Sequence, residues 1–539
     1  MTERLAGIQV QEEAGSGQSI AEAPTAVTAF VGRCLRGPVN RPVRIAGFNE
    51  FQRIFGGLWQ PSTLSYAVEQ FFENGGRAAI IVRVTNGARC CTLSLPAANE
   101  ALVLQALAPG TREFLRAAVD YDGIGDNEED AFNLVIQRVR TPGSEHIEDQ
   151  EIYRRVSIQP DSPRSVAALL AESALARVTG ELPRLRPDPT PRHDPRGIAG
   201  YVFSGTDADD GAPLTNYDLI GSAAQETGLF ALNNADGFNL LCIPPLARDV
   251  DLGASTLLVA NRYCRERRAI LFVDPPVSWD SAAKALAEMR HWPLPSDSAC
   301  MFFPRLLGYD KLRGRFEAFA PSGAIAGTLS RASEHWPVWT SACGEDAIVR
   351  PGLRPACPVD DDQRGRLAAT GVNTVQAVRR PGREGPRACT LAGPGAIAAD
   401  WRSLSMKRLA LLVVNSIERG TRWMVFEPNE PAAWRRATQQ LHEFMMALEE
   451  RGAFAERESG DRWFVVCDER VNRERHREQG IVNLMFGIPA QRPGGFHAWL
   501  VSHRAGGSRV QTVSPNLVGV PDTGLTQVLA ELDLSPDGP

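Results

Sequence analysis

Long apolar runs are absent from this sequence of 539 residues. A membrane-spanning helix needs about 20 consecutive, mostly apolar residues, whereas the longest apolar stretch, at 409–417, is short and interrupted by Asn415. The first 20 residues also lack the apolar core of a secretory signal peptide. We therefore expect no membrane insertion, and we expect the protein to leave its cell, if at all, by lysis or as part of a particle.

Motifs that carry catalytic chemistry are also missing. The sequence contains no G-x-x-x-x-G-K-[ST] phosphate loop, no G-x-G-x-x-G after a predicted strand and no G-x-S-x-G elbow. Ser281 and Lys284 match S-x-x-K, but the partner motifs of a serine acyl-enzyme do not occur, so we interpret this match as chance. The sequence therefore offers no catalytic residue and no cofactor-binding residue.

Cysteine and histidine are spread too widely to form a metal site or a disulfide framework. None of the ten cysteines belongs to a C-x-x-C pair, and we expect buried free thiols in a protein folded in a reducing cytosol. His497 and His503 lie on one face of a predicted strand, without a carboxylate or cysteine at ligand spacing. We interpret them as surface histidines and predict no metal ion.

Charge of neither sign is in large excess. The chain has 58 basic and 64 acidic residues, for a formal net charge of −6. Nucleic-acid-binding proteins usually carry a clear basic excess, so we expect no direct nucleic-acid partner. Local basic clusters occur at 262–268 and 470–477. Each is either a solvated surface laced with ion pairs or a contact surface for an acidic partner.

The first 25 residues contain few large apolar side chains. Ile8 and Val10 alternate with glutamines, which is a short strand pattern, and the Gly15-Ser16-Gly17 segment ends it. This pattern is typical of a disordered terminus. The alternative is an arm that adds a strand to the sheet of a neighbouring molecule.

The middle of the chain predicts a parallel α/β core. Continuous apolar runs at 238–245 and 268–276 each end in Pro-Pro, and a predicted helix at 255–268 lies between them. Strand, helix and strand in this order favour a parallel sheet.

Between residues 90 and 200 the pattern changes. Strand signals weaken, and an acidic loop occupies 120–130. A helix is predicted over 162–178, with a serine or aspartate cap and a proline in its first turn. The proline-rich stretch at 180–197 indicates a linker or boundary.

The last 150 residues give the clearest local pattern. A helix is predicted over 431–451, capped by Asn429 and ended by Gly452. Its apolar stripe repeats at steps of three to four residues and consists of Trp434, Ala437, Leu441, Phe444 and Leu448. Three strand patterns follow at 461–469, 480–489 and 496–504, and together with the helix they predict an α+β module.

The order of these segments resembles the phage tail sheath family from near the start of the chain to about residue 507. The N-terminal and middle parts of the resemblance are AGIQVQEEAGSGQSIAEAPTAVTAFVGRCLRGPVNRPVRIAGFNEFQRIFGG, AVEQFFENGGRAAIIVRV, SGTDADDGAPLTNYDLIGSAAQETGLFALNNADGFNLLCIPP, FAPSGAIAG and TGVNTVQAV. The most specific part is C-terminal and consists of RWMVFEPNEPAAWRRATQQLHEFMMALEERGAFAE, DRWFVVCDERVN and GIVNLMFGIPAQRPGGFHAWLV. The chain departs from the family pattern at 328–344 and 385–393.

This resemblance implies a multidomain protein with α/β and α+β parts. An extended N-terminal arm (1–25) would precede an inner α+β sheath domain formed by both chain ends, 26–90 and 381–507. An outer inserted domain would span 91–200, and a middle α/β domain of subtilisin-like shape would span 201–380. A C-terminal tail would occupy 508–539.

The resemblance also implies a structural role and no enzymatic activity. A sheath subunit forms a homo-oligomer of stacked rings or helical strands around an inner tube protein, and it contracts to drive the tube through a target envelope. Baseplate and terminator or cap proteins would be further partners. The subunit would assemble in the bacterial cytoplasm and belong to a virion tail or a phage-like extracellular particle.

Two alternatives remain open. The first is a minor sheath paralogue, or a baseplate or cap component with a sheath-like domain. The second is a hydrolase with a subtilisin-like site, although the sequence carries no Asp/His/Ser motif for proteolysis.

Contacts of such a subunit point to two groups of candidate residues. Strand exchange between neighbours would use the N-terminal arm and the strand after residue 496, with glycines as hinges: Ile8, Val10, Gly15, Gly17, Phe496, Trp499, Val501, Gly506 and Gly507. A contact that must slide along the tube favours a polar, charged face. The candidates for that face are Arg435, Arg436, Gln439, Arg473 and Arg475.

Overall fold

The computed structural model divides the chain into two compact units. The large unit contains the described residues of 26–336 and 342–385, and the C-terminal unit contains those of 1–25, 337–341 and 386–539. The structure describes residues 19–125, 127–191, 200–341, 344–375, 387–392, 401–454, 463–489 and 496–513.

Seventeen strands and eight α-helices are described in the large unit. The strands are β1 (Thr28–Gly32), β2 (Val43–Ile45), β3 (Ala79–Arg83), β4 (Thr92–Ala97), β5 (Glu100–Ala106), β6 (Phe114–Asp120), β7 (Ala131–Val139), β8 (Ile147–Ser157), β9 (Ala176–Val178), β10 (Val202–Phe203), β11 (Leu240–Cys242), β12 (Ile270–Val273), β13 (Ala299–Phe303), β14 (Leu306–Asp310), β15 (Arg315–Phe319), β16 (Arg354–Pro355) and β17 (Val372–Thr374). The helices are α1 (Phe48–Phe55), α2 (Thr63–Glu73), α3 (Val166–Leu170), α4 (Asn216–Ile220), α5 (Ala254–Arg267), α6 (Ala282–Glu288), α7 (Ser322–His335) and α8 (Asp361–Thr370). Described 3-10 helices lie at Gly228–Asn234, Met289–His291 and Gly344–Ala347.

A seven-stranded sheet of order β17-β13-β12-β11-β1-β3-β2 forms the centre of the large unit. All its pairings are parallel except that of β2 at the edge, which is antiparallel. Strands β1, β3 and β12 are buried along their whole length, as their continuous apolar sequences predict. The predicted strand, helix and strand over 238–276 are β11, α5 and β12.

The segment 26–90 is placed differently from the grouping that the resemblance implied. Its strands β1 and β3 pair with each other, and β1 also pairs with β11 of the segment 201–380. The segment 26–90 belongs to the large unit, whereas the segment 381–507 contributes mainly to the C-terminal unit. The sequence of a buried strand does not reveal which strand it pairs with, because every continuous apolar strand suits a parallel sheet.

The insertion between β3 and β11 consists mostly of antiparallel strands. One sheet has the order β10-β6-β7-β8 and another the order β4-β5-β9, and side chains of both belong to one hydrophobic core. The helix predicted over 162–178 is wrong in its length. Only Val166–Leu170 is helical, and Ala176–Val178 pairs with β5, because Ser173 accepts hydrogen bonds from the backbone N–H groups of residues 175 and 176 and so breaks the helix.

Helices α2 and α7 pack against each other through glycines. A Cβ added at Gly323 would lie 2.2 Å from the carbonyl oxygen of Ala67, and one added at Gly327 would lie 2.2 Å from that of Phe71. Only hydrogen fits such an approach, so these two glycines set the distance between the helices.

The C-terminal unit contains one four-stranded antiparallel sheet of order β18-β19-β20-β21. Its strands are β18 (Phe464–Val466), β19 (Val482–Pro489), β20 (Phe496–Arg504) and β21 (Gly507–Val513). Its helices are α9 (Leu404–Gly420), α10 (Pro431–Glu450), α11 (Glu474–Glu478) and the 3-10 helix Arg422–Phe426. The apolar stripe of α10 joins α9 and one face of the sheet in a single core, as its sequence period predicts. None of the helices in the described part of the chain combines the length and hydropathy that a membrane span requires.

The start of α10 differs in one detail from the predicted cap. The residue at the N-cap position is Glu430, and Pro431 is the first helical residue. Asn429 instead joins two segments, because its side chain accepts a hydrogen bond from the indole of Trp434 (2.6 Å) and donates one to the carbonyl of Ile481 (2.8 Å).

The two histidines of β20 are buried, so their interpretation as surface residues is wrong. His497 is 3% exposed and its ring lies 4.1 Å from the ring of Trp401. His503 is fully buried, and its ring contacts Thr421, which follows α9, as well as Ser508 of β21. The consecutive apolar residues Ala498 to Val501 between them belong to a strand that is buried on both faces.

Hydroxyl groups satisfy both ring nitrogens of His503. The hydroxyl of Thr421 donates to the carbonyl of Ile417 (2.6 Å) and therefore accepts from Nε2 of His503 at 2.8 Å. Nδ1 then accepts from the hydroxyl of Ser508 at 2.7 Å. This network fixes the neutral imidazole with its proton on Nε2 and ties β21 to α9 and β20.

We predict that replacing Gly327 with alanine destabilises the large unit by about 1–3 kcal/mol, because the new methyl group collides with a backbone carbonyl. Gly365→Ala is the matched control. Gly365 lies in α8 with nothing within 4 Å of an added Cβ, so alanine there should stabilise by up to about 1 kcal/mol. Urea unfolding followed by circular dichroism measures both changes, and equal effects at the two sites would contradict the packing described.

We also predict that the C-terminal unit loses stability as the pH falls from about 6.5 to about 4. Burial lowers the pKa of His503 to about 4, with Glu418 opposing the shift and Arg422 adding to it. The unfolded chain binds a proton in this window and the folded chain does not, so acid favours unfolding by about 3 kcal/mol through this group.

The variant His503→Gln isolates this contribution. Its unfolding free energy should change less between pH 6.5 and pH 4 than that of the parent protein. The control is His442→Gln, at an exposed histidine of α10, whose unfolding free energy should depend on pH with the same slope as that of the parent protein. The same slope in all three proteins would show that His503 does not titrate as described.

Candidate functional site

Strand β20 is an inner strand of the C-terminal sheet. It pairs with β19 on one side and with β21 on the other. The predicted exchange residues Phe496, Trp499 and Val501 are buried in this strand. Their main chain is therefore already paired within the chain, and they do not offer a free edge to a neighbour.

Gly506 and Gly507 lie at a hairpin and not in an open linker. Ala505 and Gly506 form the two-residue turn, and Arg504 pairs with Gly507 across it. Gly507 has a φ of +123°, which an L side chain rarely adopts. The hairpin went unpredicted because β21, with the sequence GSRVQTV, is polar and begins with glycine.

The free edges of the described sheet are β18 and β21. In a hairpin with a two-residue loop, the pair that flanks the loop is hydrogen-bonded, and the following pairs alternate. The register Arg504–Gly507 therefore directs the N–H groups of Ser508, Val510 and Thr512 away from β20. Strand β21 thus presents a row of outward main-chain groups on a polar strand of seven residues.

The first described residues of the chain are anchored on α9, within the C-terminal unit. The side chain of Ile20 packs against Gly420, so closely that a Cβ added at this glycine would lie 2.9 Å from it. The backbone N–H of Ala23 donates to the hydroxyl of Ser416 at 2.8 Å. An ion pair joins Glu22 to Arg451. The predicted arm residues that precede this anchor lie outside the described residues: Ile8, Val10, Gly15 and Gly17.

The outward face of α10 is polar and exposed. Arg435 donates to the carbonyl of Pro431 at 3.3 Å, and Gln439 donates to Glu443 at 3.0 Å. Arg436 pairs with Glu427 and lies 4.0 Å from the ring centre of Trp423. The face therefore carries charges that are partly neutralised by neighbours on the same unit.

The second basic group surrounds the short helix α11. Arg473 is at its N-cap position, and Arg475 lies 3.3 Å from the Nε2 of His476. Burial and the charges of Arg475 and Arg473 lower the pKa of His476. These arginines are exposed.

The structure brings this group to the start of α10. Arg477 donates to the carbonyl of Asn429 at 3.1 Å, and its guanidinium lies 5.9 Å from the ring centre of Trp434. The link through Asn429 and Arg477 was not predicted, because it joins segments about 50 residues apart. The residue that follows the predicted pair in α11 therefore contacts the N-terminal end of α10.

Chemistry of the kind that enzymes use is not apparent at these residues. Across the described ranges, no group of three or more His, Cys, Asp or Glu side chains could hold a metal ion. What the C-terminal unit offers is an exposed sheet edge and a polar, charged helix face. Both are suited to binding other protein chains.

Comparison with solved structures identifies the fold. The chain is similar to the sheath tail protein Lin1278 from Listeria innocua, with a TM-score of 0.54, 12% identity, and coverage of 92% of this chain and 96% of that one. It is also similar to the PVC sheath complex of an extracellular contractile injection system in the contracted state, with a TM-score of 0.51, 14% identity, and coverage of 92% and 96%. No protein-family model and no curated protein matches the sequence. Over nearly its whole length, the chain has the fold of contractile sheath proteins.

Proposed function

We propose that this chain is a structural sheath subunit, which polymerises around an inner tube and contracts to drive the tube through a target envelope. The observation that carries the proposal is the shared fold over 92% of the chain with a sheath complex and a sheath tail protein. The open edge of β21 supports it, because a subunit that polymerises needs a surface that one copy leaves incomplete.

Neighbouring copies would be joined by strand addition at this edge. In our proposal the N-terminal arm, with Ile8 and Val10, pairs along β21 of a neighbour, and Gly15 and Gly17 are hinges between the arm and the anchored Ile20. Main-chain hydrogen bonds hold such a strand whatever its side chains. The connection therefore survives a large rigid-body rotation of the subunits when the hinge residues bend.

Contraction then requires no nucleotide. The extended sheath would be a high-energy lattice held by many weak contacts, and its release at one end would let each subunit bury surface in a wider, shorter lattice. A gain of a few kcal/mol for each subunit multiplies over the whole sheath. The strand connections would keep the copies together while the other contacts change.

Tube contact is assigned in this proposal to the basic surface of α10 and α11, with Arg435, Arg436, Gln439, Arg473 and Arg475. A sliding contact must be weak, and exposed ion pairs contribute only about 0–1 kcal/mol each. The tube surface that meets these residues would be acidic.

The arrangement of the subunit in the particle is part of the same proposal. The C-terminal unit would lie next to the tube, and the insertion of 91–200 would be outermost. Baseplate and cap proteins would bind the ends of the sheath. Assembly would occur in the bacterial cytoplasm, before the virion tail or phage-like particle is released. A minor sheath paralogue or baseplate component is the second candidate, because it would share the same fold.

We predict that Thr512→Pro abolishes self-assembly while the subunit stays folded. Proline removes the outward N–H at this position and leaves the hydrogen bonds between β20 and β21 intact, so stability should change by less than about 1 kcal/mol. Negative-stain electron microscopy of the purified protein at raised concentration should show hollow cylinders or ring stacks for the parent protein and none for the variant. Deletion of residues 1–18, which keeps the anchored Ile20 in place, should have the same effect.

Thr512→Ala keeps the N–H and is the matched control, which should assemble like the parent protein. Cylinders formed by Thr512→Pro would exclude strand addition at β21. A monodisperse monomer from the parent protein would favour the second candidate, a minor paralogue that needs a tube or baseplate as template.

Charge reversal separates tube contact from self-assembly. Arg435→Glu should leave cylinders of the sheath protein unchanged and weaken their co-assembly with the tube protein by roughly tenfold or more in the concentration required. Arg366→Glu, on the exposed face of α8 in the large unit, is the control. Unaltered co-assembly of Arg435→Glu would count against this face of α10.

A further inference from the structure

An open cleft of about 870 Å³ lies in the large unit. Its walls are the loop after β1 with Leu35 and Arg36, the helix α1, and the segment with Trp59. The insertion closes the opposite side through Arg112 and the turn between β7 and β8. The cleft has no part in the proposed assembly.

The cleft lies beyond the carboxyl end of β1, because the loop that follows this strand lines it. Among the described residues, those after β11, the neighbouring strand, do not belong to its lining. The space is therefore bounded by the loop after β1, by α1 and by the insertion.

A buried arginine holds this loop in place. Arg83, at the end of β3, is 1% exposed, and it donates hydrogen bonds to the carbonyls of Cys34 (3.2 Å), Leu35 (3.3 Å), Gly37 (2.6 Å) and Pro109 (2.8 Å). The loop after β1 and the start of the insertion are thus fastened to one guanidinium. The cleft is consequently preformed, which lowers the entropic cost of binding.

The lining of the cleft carries an excess of positive charge. Its two carboxylates already have partners: Asp210 accepts two hydrogen bonds from Thr111, each of 2.8 Å, and Glu148 pairs with Arg36 at 2.6 Å and with Arg140 at 3.5 Å. Against these two carboxylates stand four arginines, Arg36, Arg53, Arg112 and Arg140, of which Arg53 also lies 3.9 Å from the carboxylate of Glu50.

One of these arginines has a buried donor that is not used. The side chain of Arg36 is 8% exposed, and besides Glu148 it donates to the carbonyl of Arg53 at 2.7 Å. Its Nε finds no hydrogen-bond partner among the described residues. This Nε is enclosed by the protein, so Arg36 forms part of the cleft wall, and an anion would be met by the exposed arginines and not by this atom.

We propose that this cleft binds an anion with several linked phosphate groups, such as inorganic triphosphate or a nucleoside triphosphate. Guanidinium groups bind phosphate through paired, charge-assisted hydrogen bonds. Arg53, Arg112 and Arg140 are exposed on separate walls, and an extended anion with several linked phosphates suits such a distributed set of guanidinium groups. The ring of Trp59 lines the same cleft and offers an apolar surface to a base.

Isothermal titration calorimetry of the unassembled protein at constant ionic strength tests this proposal, with sodium triphosphate as the first probe and ATP as the second. The parent protein should show saturable binding to one site. The double variant Arg112→Ala/Arg140→Ala should bind triphosphate about tenfold more weakly or worse, since it loses two charge-assisted contacts. Circular dichroism checks that it stays folded.

The double variant Arg262→Ala/Arg366→Ala is the matched control. It removes two exposed arginines of the same unit, with side chains 84% and 63% exposed, and it should bind triphosphate like the parent protein. Tighter binding of ATP than of triphosphate would assign contacts to the nucleoside, and equal binding would assign the site to the phosphates alone.

The proposal would be overturned if the parent protein showed no saturable binding, or if the parent and the cleft variant bound with equal affinity. If, in addition, the cleft variant failed to self-assemble, the occupant of the cleft would be an acidic segment of a second copy. Binding is measured before assembly, so failure of the sheath proposal does not affect this test.

Discussion

Main-chain hydrogen bonding at the edge of the C-terminal sheet is the requirement from which the assembly properties of the subunit follow. Two of the four strands are paired on both sides, and β21 turns the N–H groups of alternate residues outward. Such an edge binds any chain that can extend along it. In the proposed sheath this property joins the copies, and the polar sequence of β21 limits pairing with unrelated apolar strands.

Local patterns predicted three of the long elements of the C-terminal unit, whereas the helix α9 was not predicted. The helix expected over 431–451 is Pro431–Glu450, and the strands expected at 480–489 and 496–504 are Val482–Pro489 and Phe496–Arg504. The hydrophobic period and the length of a segment are sufficient to predict a helix or strand where the sequence of that segment alone determines which face is buried. Strand β21 was not predicted, because its register depends on a turn and on a partner strand.

Features that depend on contacts between distant segments could not be predicted. The pairing of β1 with β11 joins residues more than 200 apart, and the anchoring of Ala23 on Ser416 joins residues 393 apart. The ring of His503 forms hydrogen bonds with the hydroxyl groups of Thr421, which follows α9, and of Ser508 in β21. The arginines of the cleft also lie far apart in the sequence, so no spacing rule identifies them. The candidate residues on α10, by contrast, follow from the helical period alone.

A reconstruction by cryo-electron microscopy of the polymer formed by the full chain tests the central claim most directly. We predict that a strand from a neighbouring copy runs along the outer edge of β21 and hydrogen-bonds to Ser508, Val510 and Thr512. An ordered polymer in which this edge faces solvent, or is covered by the same chain, would contradict strand addition as the connection between sheath subunits.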